Sequence, residues 1–469
     1  MMKFLESLLN KVFKKKIKQF NIKEVFTPST SAKLTFVERK DIDSQINKAL
    51  LIPGMQLVVY GHSGSGKTTI IQNILSSKTK RYIVTNCILD TSIGEIILDA
   101  FDKLNPYYTS EKTEKDTAKI GLDLKSSYLT LESTIKSELT YEYAEKKQRL
   151  LPTQLTPQRL AEFLGAAEVT WIIEDFHKVA IAERQKLSQI LKIFVDVSNR
   201  YPGSKTIAIG AVGTAREIVN YDSELNNRIA EIHVPLMSNG ELEDIMIKGE
   251  NLLNVDFEPK VHKDIIQFSS SLASICHHLC FSMCYSNGVT DTQLVKRVFK
   301  PEDLRGAILD YLKQNSDSFK ETLDRALKSR DGNFDKTKPI LSAFCISSKQ
   351  ELSKDDILNY KNNKNLYGKK VIQYLNLLTT VDYGEIIRFD ENSGMYFFSN
   401  PFLKAYASMQ FSEDEKHNKP IQLQQAREQA RMEEVYSILK RMYFEQGETK
   451  MRARRIPPNK IPNRKSAGK

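Results

Sequence analysis

Short apolar runs alternate with amphipathic stretches through the first half of the chain. Five runs rich in β-branched residues, the pattern of buried strands, occupy 55–60, 81–87, 169–173, 205–212 and 229–235. Between them, apolar side chains recur at helical spacing in 39–51, 68–75, 93–104 and 186–198. Because strands alternate with helices, the pattern predicts an α/β fold with a parallel, doubly wound sheet.

The first of these strands leads directly into a glycine-rich turn and then a helix. The run GHSGSGKTT, residues 61–69, fits the pattern G-x-x-x-x-G-K-[ST] at every fixed position. A strand, a glycine-rich loop and a helix in this order form the setting that a phosphate-binding loop needs. The residues predicted to contact the nucleotide are Gly61, Ser63, Gly64, Ser65, Gly66, Lys67, Thr68 and Thr69.

The chemistry of this loop follows from its residue types. Glycines let backbone N–H groups approach phosphate oxygens closely, and the following helix adds partial positive charge at its N-terminus. Lys67 is placed to reach the β- and γ-phosphates, and the Thr68 hydroxyl to ligate Mg²⁺. The sequence therefore predicts a nucleoside triphosphate site with ATP and Mg²⁺ as its cofactors.

A second candidate element is the strand 169–173, which delivers two carboxylates at its C-terminal end. Ligands bind at this end of the strands in open α/β sheets. We expect Glu174 to hold Mg²⁺ together with Thr68, and Asp175 to orient the attacking water. The alternative is a solvated acidic turn without a catalytic role.

Charge and cysteine content narrow the class of protein. The net charge is +11, but residues 1–24 carry +5 and residues 447–469 carry +7, so the basicity lies in the two ends. Five cysteines argue against a disulfide framework and for a reducing compartment. No apolar run reaches transmembrane length, and lysines interrupt the N-terminus where a signal peptide would be apolar. These features predict a cytoplasmic protein.

Several motifs in sequence order resemble the AAA+ ATPases. They are FVER at 36–39, the phosphate loop, RYIVTNC at 81–87, the carboxylates at 174–175, TIAIGAVGT at 206–214 and NNRIAEIHVPLMSNGEL at 226–242. Within this group, the chain is most like the initiator-type branch of origin-recognition, transposition and prokaryotic signal-transducing (STAND) ATPases. The resemblance covers residues 26 to about 300, and an extension to 410 is expected.

The resemblance implies roles for two further residues and a slow enzyme. Thr214 stands where the family has a polar sensor of the γ-phosphate. Arg228 stands where an arginine finger completes the site of a neighbouring subunit, which implies a homo-oligomer; the alternative for Arg228 is a surface salt bridge. The order Glu174-Asp175 reverses the usual one, and the lid segment 271–278 lacks the second sensing arginine. Both departures favour a slow ATP-dependent switch over a motor.

The chain divides into five predicted parts: a basic amphipathic helix (1–20), the nucleotide-binding core (21–235), a helical lid (236–328), a winged-helix domain (329–412), and a helix with a basic disordered tail (413–469). The N-terminal helix is expected either to pack on protein or to lie on an anionic membrane. Residues 105–155 form a polar insertion without assigned chemistry. Cys276, Cys280 and Cys284 lie on one helical face, where a packing role is favoured over metal binding.

Two classes of function remain open at the sequence level. In the first, the ATPase is directed to DNA: Lys364, Lys369 and Lys370 would lie near phosphates if the third helix of the winged domain entered a groove, and the basic tail would add a non-specific grip. In the second, a regulatory or antiviral-defence ATPase senses a protein or ligand, since acidic Asp390 and Glu391 at the hairpin tip would repel DNA. An effector or other partner protein is expected in either case.

Overall fold

A computed structural model of the chain describes residues 18–78, 80–109, 124–133, 155–211, 225, 227–327, 337–347, 349–360, 368–391, 393–416 and 432. The chain forms two compact units, Met1–Tyr406 and Ala407–Lys469. In the second unit, residues 407–416 are helical. The expectations for helix 1–20, for much of the insertion 105–155 and for the tail fall on residues outside this description, apart from a helical segment at 124–133.

The first unit is built around a five-stranded parallel sheet. Its strands lie in the order β2-β3-β4-β1-β5, so that β1 stands between β4 and β5. Each strand coincides with an apolar run of the sequence, because such runs bury both faces of a parallel sheet. The predicted doubly wound α/β fold is confirmed. The strands are β1 (Gln56–Tyr60), β2 (Arg81–Asn86), β3 (Val169–Glu174), β4 (Thr206–Gly210) and β5 (Ile229–His233).

Helices cover both faces of the sheet. Leu57 and Val59 point into one apolar cluster and Val58 into the other, as expected for alternating side chains of a strand. One cluster contains the helices on either side of β1, and the other contains the buried aromatic residues Trp171 and Phe194. The helices are α1 (Ile22–Val25), α2 (Lys40–Leu51), α3 (Lys67–Ser77), α4 (Ile93–Thr109), α5 (124–133), α6 (Pro157–Ala166) and α7 (Arg184–Val197).

A group of five helices follows β5. They are α8 (Asn239–Leu253), α9 (Pro259–Ser269), α10 (Ala273–Ser286), α11 (Pro301–Gln314) and α12 (Ser316–Leu327), with short parallel strands β6 (Val255–Phe257) and β7 (Arg297–Phe299). Ser238 and Glu241 form the capping box that the sequence of α8 predicts. The three cysteines of α10 are fully buried. None of the described helices combines the length and the apolarity that a membrane crossing needs.

The first unit ends in a module that we call the C-terminal module, residues 337–406. An antiparallel sheet in the order β8-β10-β9 packs with its helices, and residues 401–406 begin a last helical segment. The hairpin β9–β10 turns between Asp390 and Met395, where the sequence predicts a turn. The elements are α13 (Lys338–Ile346), β8 (Glu351–Leu352), α14 (Lys354–Leu358), α15 (Gly368–Leu378), β9 (Ile387–Asp390) and β10 (Met395–Phe398).

Candidate nucleotide-binding site

The glycine-rich loop connects the carboxyl end of β1 to the first turn of α3. Gly66 caps α3 with a left-handed backbone, φ 87°, a conformation that glycine adopts without strain. A Cβ on Gly61 would clash with the carbonyl oxygen of Val234, the residue that follows β5. The loop therefore lies tight against the sheet edge, with the N-terminus of an eleven-residue helix behind it.

Lys67 lies at the centre of this loop. Its Nζ donates hydrogen bonds to the carbonyl oxygens of Gly61 at 3.0 Å and His62 at 2.8 Å. Burial lowers the pKa of Lys67, while the nearby charges of Asp175 and Glu174 act in the opposite direction. The ammonium group thus sits between the loop and the two carboxylates, where the β- and γ-phosphates of a nucleotide would need a positive charge.

Glu174 and Thr68 face each other across the site. The Thr68 hydroxyl is hydrogen-bonded to the Glu174 carboxylate, although burial dominates and raises the pKa of Glu174. A hydroxyl oxygen and a carboxylate oxygen on adjoining elements are metal ligands of the kind that Mg²⁺ prefers. The two residues therefore fit a magnesium ion, which would neutralise charge on phosphate oxygens.

Asp175 adopts a left-handed backbone conformation, φ 54°, directly after β3. Lys178 Nζ donates to its Oδ2 at 2.8 Å. Such a conformation costs a non-glycine residue free energy and is concentrated at functional sites. The turn places Asp175 beside Glu174 at the wall of the same cavity.

One cavity of about 520 Å³ joins the loop and the carboxylates. The predicted residues that line it are Gly61, Ser63, Gly64, Gly66, Lys67, Thr68, Thr69, Glu174 and Asp175. Ser65 is the exception, since its side chain is completely buried behind the loop. The volume is within the range of sites for small molecules and cofactors.

Of the two residues assigned only by resemblance, Arg228 is described by the structure and does not line this cavity. Arg228 precedes β5, and its carbonyl accepts from Gln56 N–H at the start of β1, so it lies at the amino end of the strands. Its side chain is half exposed and 3.8 Å from Asp196. This position lies at the opposite end of β1 from the phosphate loop. Thr214 lies outside the described residues.

Sequence reasoning missed three features of the site. Arg39, which the sequence presents only as the last residue of the FVER motif, is buried and contacts Glu241 of α8 as well as the carbonyls around the loop. Residues 27–37 and the α10 face carrying Ser274 and His277 form the far wall of the cavity. These contacts join segments more than 190 residues apart in the chain, so no local pattern reveals them.

The C-terminal module touches the phosphate loop itself. The ring of Phe402 lies against Gly64: a Cβ atom added to Gly64 would be 3.1 Å from Cζ of Phe402. Gln350 Nε2 donates to Ser271 Oγ at 2.6 Å, just before α10. A second cavity of about 840 Å³ lies between this module, His62 of the loop and the start of α8.

Comparison with known proteins gives structural neighbours only: no protein-family model and no curated protein matches the chain. Cdc6p from Pyrobaculum aerophilum has a TM-score of 0.41 and 14% identity, covering 84% of this chain and 98% of that one. An Aeropyrum pernix ORC1 protein, solved in complex with DNA, has a TM-score of 0.40 and 12% identity over 83% and 96%. The Walker-type ATPase paby2304 of Pyrococcus abyssi has a TM-score of 0.45 and 13% identity over 79% and 96%.

Proposed function

We propose that this chain is an ATP- and Mg²⁺-dependent switch of the AAA+ initiator type, with slow hydrolysis. Its nucleotide state controls oligomerisation and the binding of DNA or a partner protein. Nucleotide binding is supported by the cavity that the loop residues share with Glu174 and Asp175. In that cavity Lys67 would hold the phosphates, and Thr68 with Glu174 would hold the metal ion.

The observation that carries the switch is the contact of Phe402 with Gly64. A phosphate group bound by the loop backbone lies within a few ångströms of every loop residue. Any adjustment of the loop around phosphate therefore reaches the ring of Phe402 directly. We infer that nucleotide binding changes the packing of the C-terminal module, because tightly packed contacts respond to small shifts by changing arrangement.

Slow hydrolysis is supported by the surroundings of Asp175. Lys178 already engages one of its carboxylate oxygens, at 2.8 Å. On the opposite wall, α10 contributes Ala273, Ser274 and His277, none of which carries a fixed positive charge. Asp175, the residue proposed to orient the water, has a shorter side chain than a glutamate would have, and α10 supplies no cation. Stabilisation of transition-state charge therefore depends on Lys67, the metal ion and a residue from a neighbouring subunit.

The C-terminal module is proposed to be a winged helix, since helix, strand, two helices and a hairpin follow one another in that order. For DNA binding, Lys370 on α15 is exposed. The specific observation that favours the second candidate, a regulatory or antiviral-defence ATPase without DNA binding, is the hairpin tip, where Glu391 is exposed beside Asp390. Like charges at this tip would oppose approach to a phosphate backbone.

The test measures particle mass and DNA binding of the full chain with ATP, with ADP and without nucleotide, at two salt concentrations. The switch predicts a mass that depends on the nucleotide. Salt-dependent DNA binding favours the first candidate, and an ATP-dependent mass that ignores DNA favours the second. One mass in all three states contradicts the proposal.

Two variants test the contact that carries the proposal. Phe402→Ala should retain ATP binding but lose the dependence of mass on nucleotide, because the loop no longer touches the module. Phe389→Ala is the matched control: it removes another aromatic ring of the same module, one that packs on Tyr396 in the hairpin. Equal behaviour of the two variants would remove the basis for Phe402 as the coupling residue.

A further inference from the structure

Three exposed apolar side chains follow one another closely between α10 and α11, at the start of β7 and just before it. We call them the 294–298 patch; its members are Leu294, Val295 and Val298. Each exposes half or more of its surface, from 50% for Val298 to 81% for Val295. Single apolar residues on a surface are common, but neighbouring ones mark a place where another surface binds.

The backbone that carries the 294–298 patch is held in place. Gln293 N–H donates to Leu253 O at the end of α8, at 2.8 Å. Lys296 Nζ lies 2.6 Å from Asp256 Oδ1 in β6, and β6 pairs with β7 along its length. The patch is therefore a fixed surface of the helical group that follows β5, rather than a turn free to bury itself.

The N-terminal segment of the chain leads to this patch. Phe20 pairs with Thr292: the Thr292 N–H donates to Phe20 O at 3.0 Å, and the Phe20 N–H donates to Thr292 Oγ1 at 2.9 Å. The next pair, Asn21 and Asp291, forms an antiparallel bridge. Partners in an antiparallel pairing run in opposite directions. The chain that precedes Phe20 therefore runs in the direction of Leu294.

Residues 1–17 come before this anchored segment and lie outside the described residues. Their sequence predicts an amphipathic helix, which at 1.5 Å per residue would be about 25 Å long. Residues 18–20 are not helical, so the helix has to end before the anchor at Phe20. The apolar positions that share one face of this helix are Phe4, Leu5, Leu8, Leu9, Val12, Phe13 and Ile17.

We infer that residues 1–17 dock as a helix on the 294–298 patch of the same chain. The apolar face of the helix covers Leu294, Val295 and Val298, and its lysines stay in water. The anchor at Phe20 is only three residues from the end of the helix, so docking closes a very short loop and costs little chain entropy. Both apolar surfaces then leave water together, whereas a helix lying on a membrane would leave the patch exposed.

Hydrogen exchange of the full chain, followed by mass spectrometry of peptides from residues 1–17, tests this docking. An isolated helix of this length is marginal in water, so protection of its amides reports packing on another surface. We expect exchange in wild type to be slower by about tenfold or more than in an unstructured peptide. The double variant Leu294→Asp with Val295→Asp should lose this protection, because the patch becomes charged.

The matched control is the double variant Ile88→Asp with Leu89→Asp. These two side chains are exposed to a similar degree, 72% and 80%, but they follow β2 in the nucleotide-binding core. The control should keep the protection of residues 1–17. A reciprocal variant, Leu8→Asp with Leu9→Asp, should lose it as the patch variant does. Thermal unfolding establishes that every variant is folded.

Four results would overturn the inference. Residues 1–17 of wild type could exchange as an unstructured peptide, or the patch variant could keep the same protection as wild type. Protection that disappears on about hundredfold dilution would place the helix on a second copy of the chain, since docking within one chain does not depend on concentration. Protection that appears only with vesicles of phosphatidylcholine and phosphatidylglycerol would place it on a membrane.

Discussion

Arg39 donates through Nε to Glu241 Oε1 at 2.7 Å, which joins the start of α2 to the first turn of α8. Its Nη1 donates to Pro235 O at 2.8 Å and its Nη2 to Leu236 O at 3.3 Å. Only 7% of the residue is exposed. One guanidinium group thus connects the start of α2, the segment that follows β5 and the first turn of α8, because five donors in a fixed fork can serve several acceptors.

Replacing Arg39 with alanine should destabilise the first unit strongly. The change removes the cation paired with the Glu241 carboxylate, which keeps the hydrogen bond from Ser238 N–H, and it takes the arginine donor from the carbonyls of Pro235 and Leu236. Removal of one partner from a buried ion pair costs about 3–5 kcal/mol. We expect a loss near the lower end, since the Glu241 side chain retains 22% exposure. Chemical denaturation measures it, with Lys40→Ala, an exposed neighbour, as control. Equal stability of the two variants would contradict the connecting role.

His277 predicts a pH dependence of stability with a defined sign. Burial lowers its folded pKa to about 4 from an ordinary value of 6.5, so the unfolded chain binds the proton more readily between these values. The stability that neutral His277 contributes is complete above the pKa of the unfolded chain and is lost as pH falls toward the pKa of the folded chain. The free energy of unfolding should fall by about 2 kcal/mol between about pH 7 and pH 5. Denaturation curves should show this acid-dependent loss in wild type but not in His277→Asn. Parallel pH profiles would exclude the buried neutral state.

Arg228 should affect turnover and leave ATP binding unchanged. An arginine supplied in trans is worth on the order of 10³-fold in rate, whereas its exposed ion pair with Asp196 contributes little to stability. Arg228→Ala is therefore expected to lower turnover by that order at constant ATP affinity. Asp196→Asn removes the same ion pair and should keep wild-type turnover. A loss of ATP affinity in Arg228→Ala, or equal turnover defects in both variants, would assign a local role to Arg228.

The sheet and the phosphate loop were predictable because their signals are local. The apolar run from Leu57 to Val59 identifies a strand by composition alone, and the loop motif is nearly contiguous with it. The capping box of Ser238 and Glu241 was visible for the same reason. Each feature depends on residues within one short window.

The contacts that complete the site were not predictable in this way. Thr27 meets His277 across 250 positions of the chain, and Arg39 meets Glu241 across 202. Phe402 reaches Gly64 from the far end of the first unit. None of these pairs has a sequence spacing that distinguishes it from ordinary core or surface residues, so only the folded chain brings them together.

ATP binding by the loop around Lys67 is the central claim, and one measurement tests it directly. The free energy of unfolding is determined for wild type and for Lys67→Ala, with and without ATP and Mg²⁺. At about a hundredfold excess of ATP over Kd, wild type should gain about 2.7 kcal/mol, and the variant should gain nothing measurable. An equal gain in both proteins, or none in wild type, would contradict the claim.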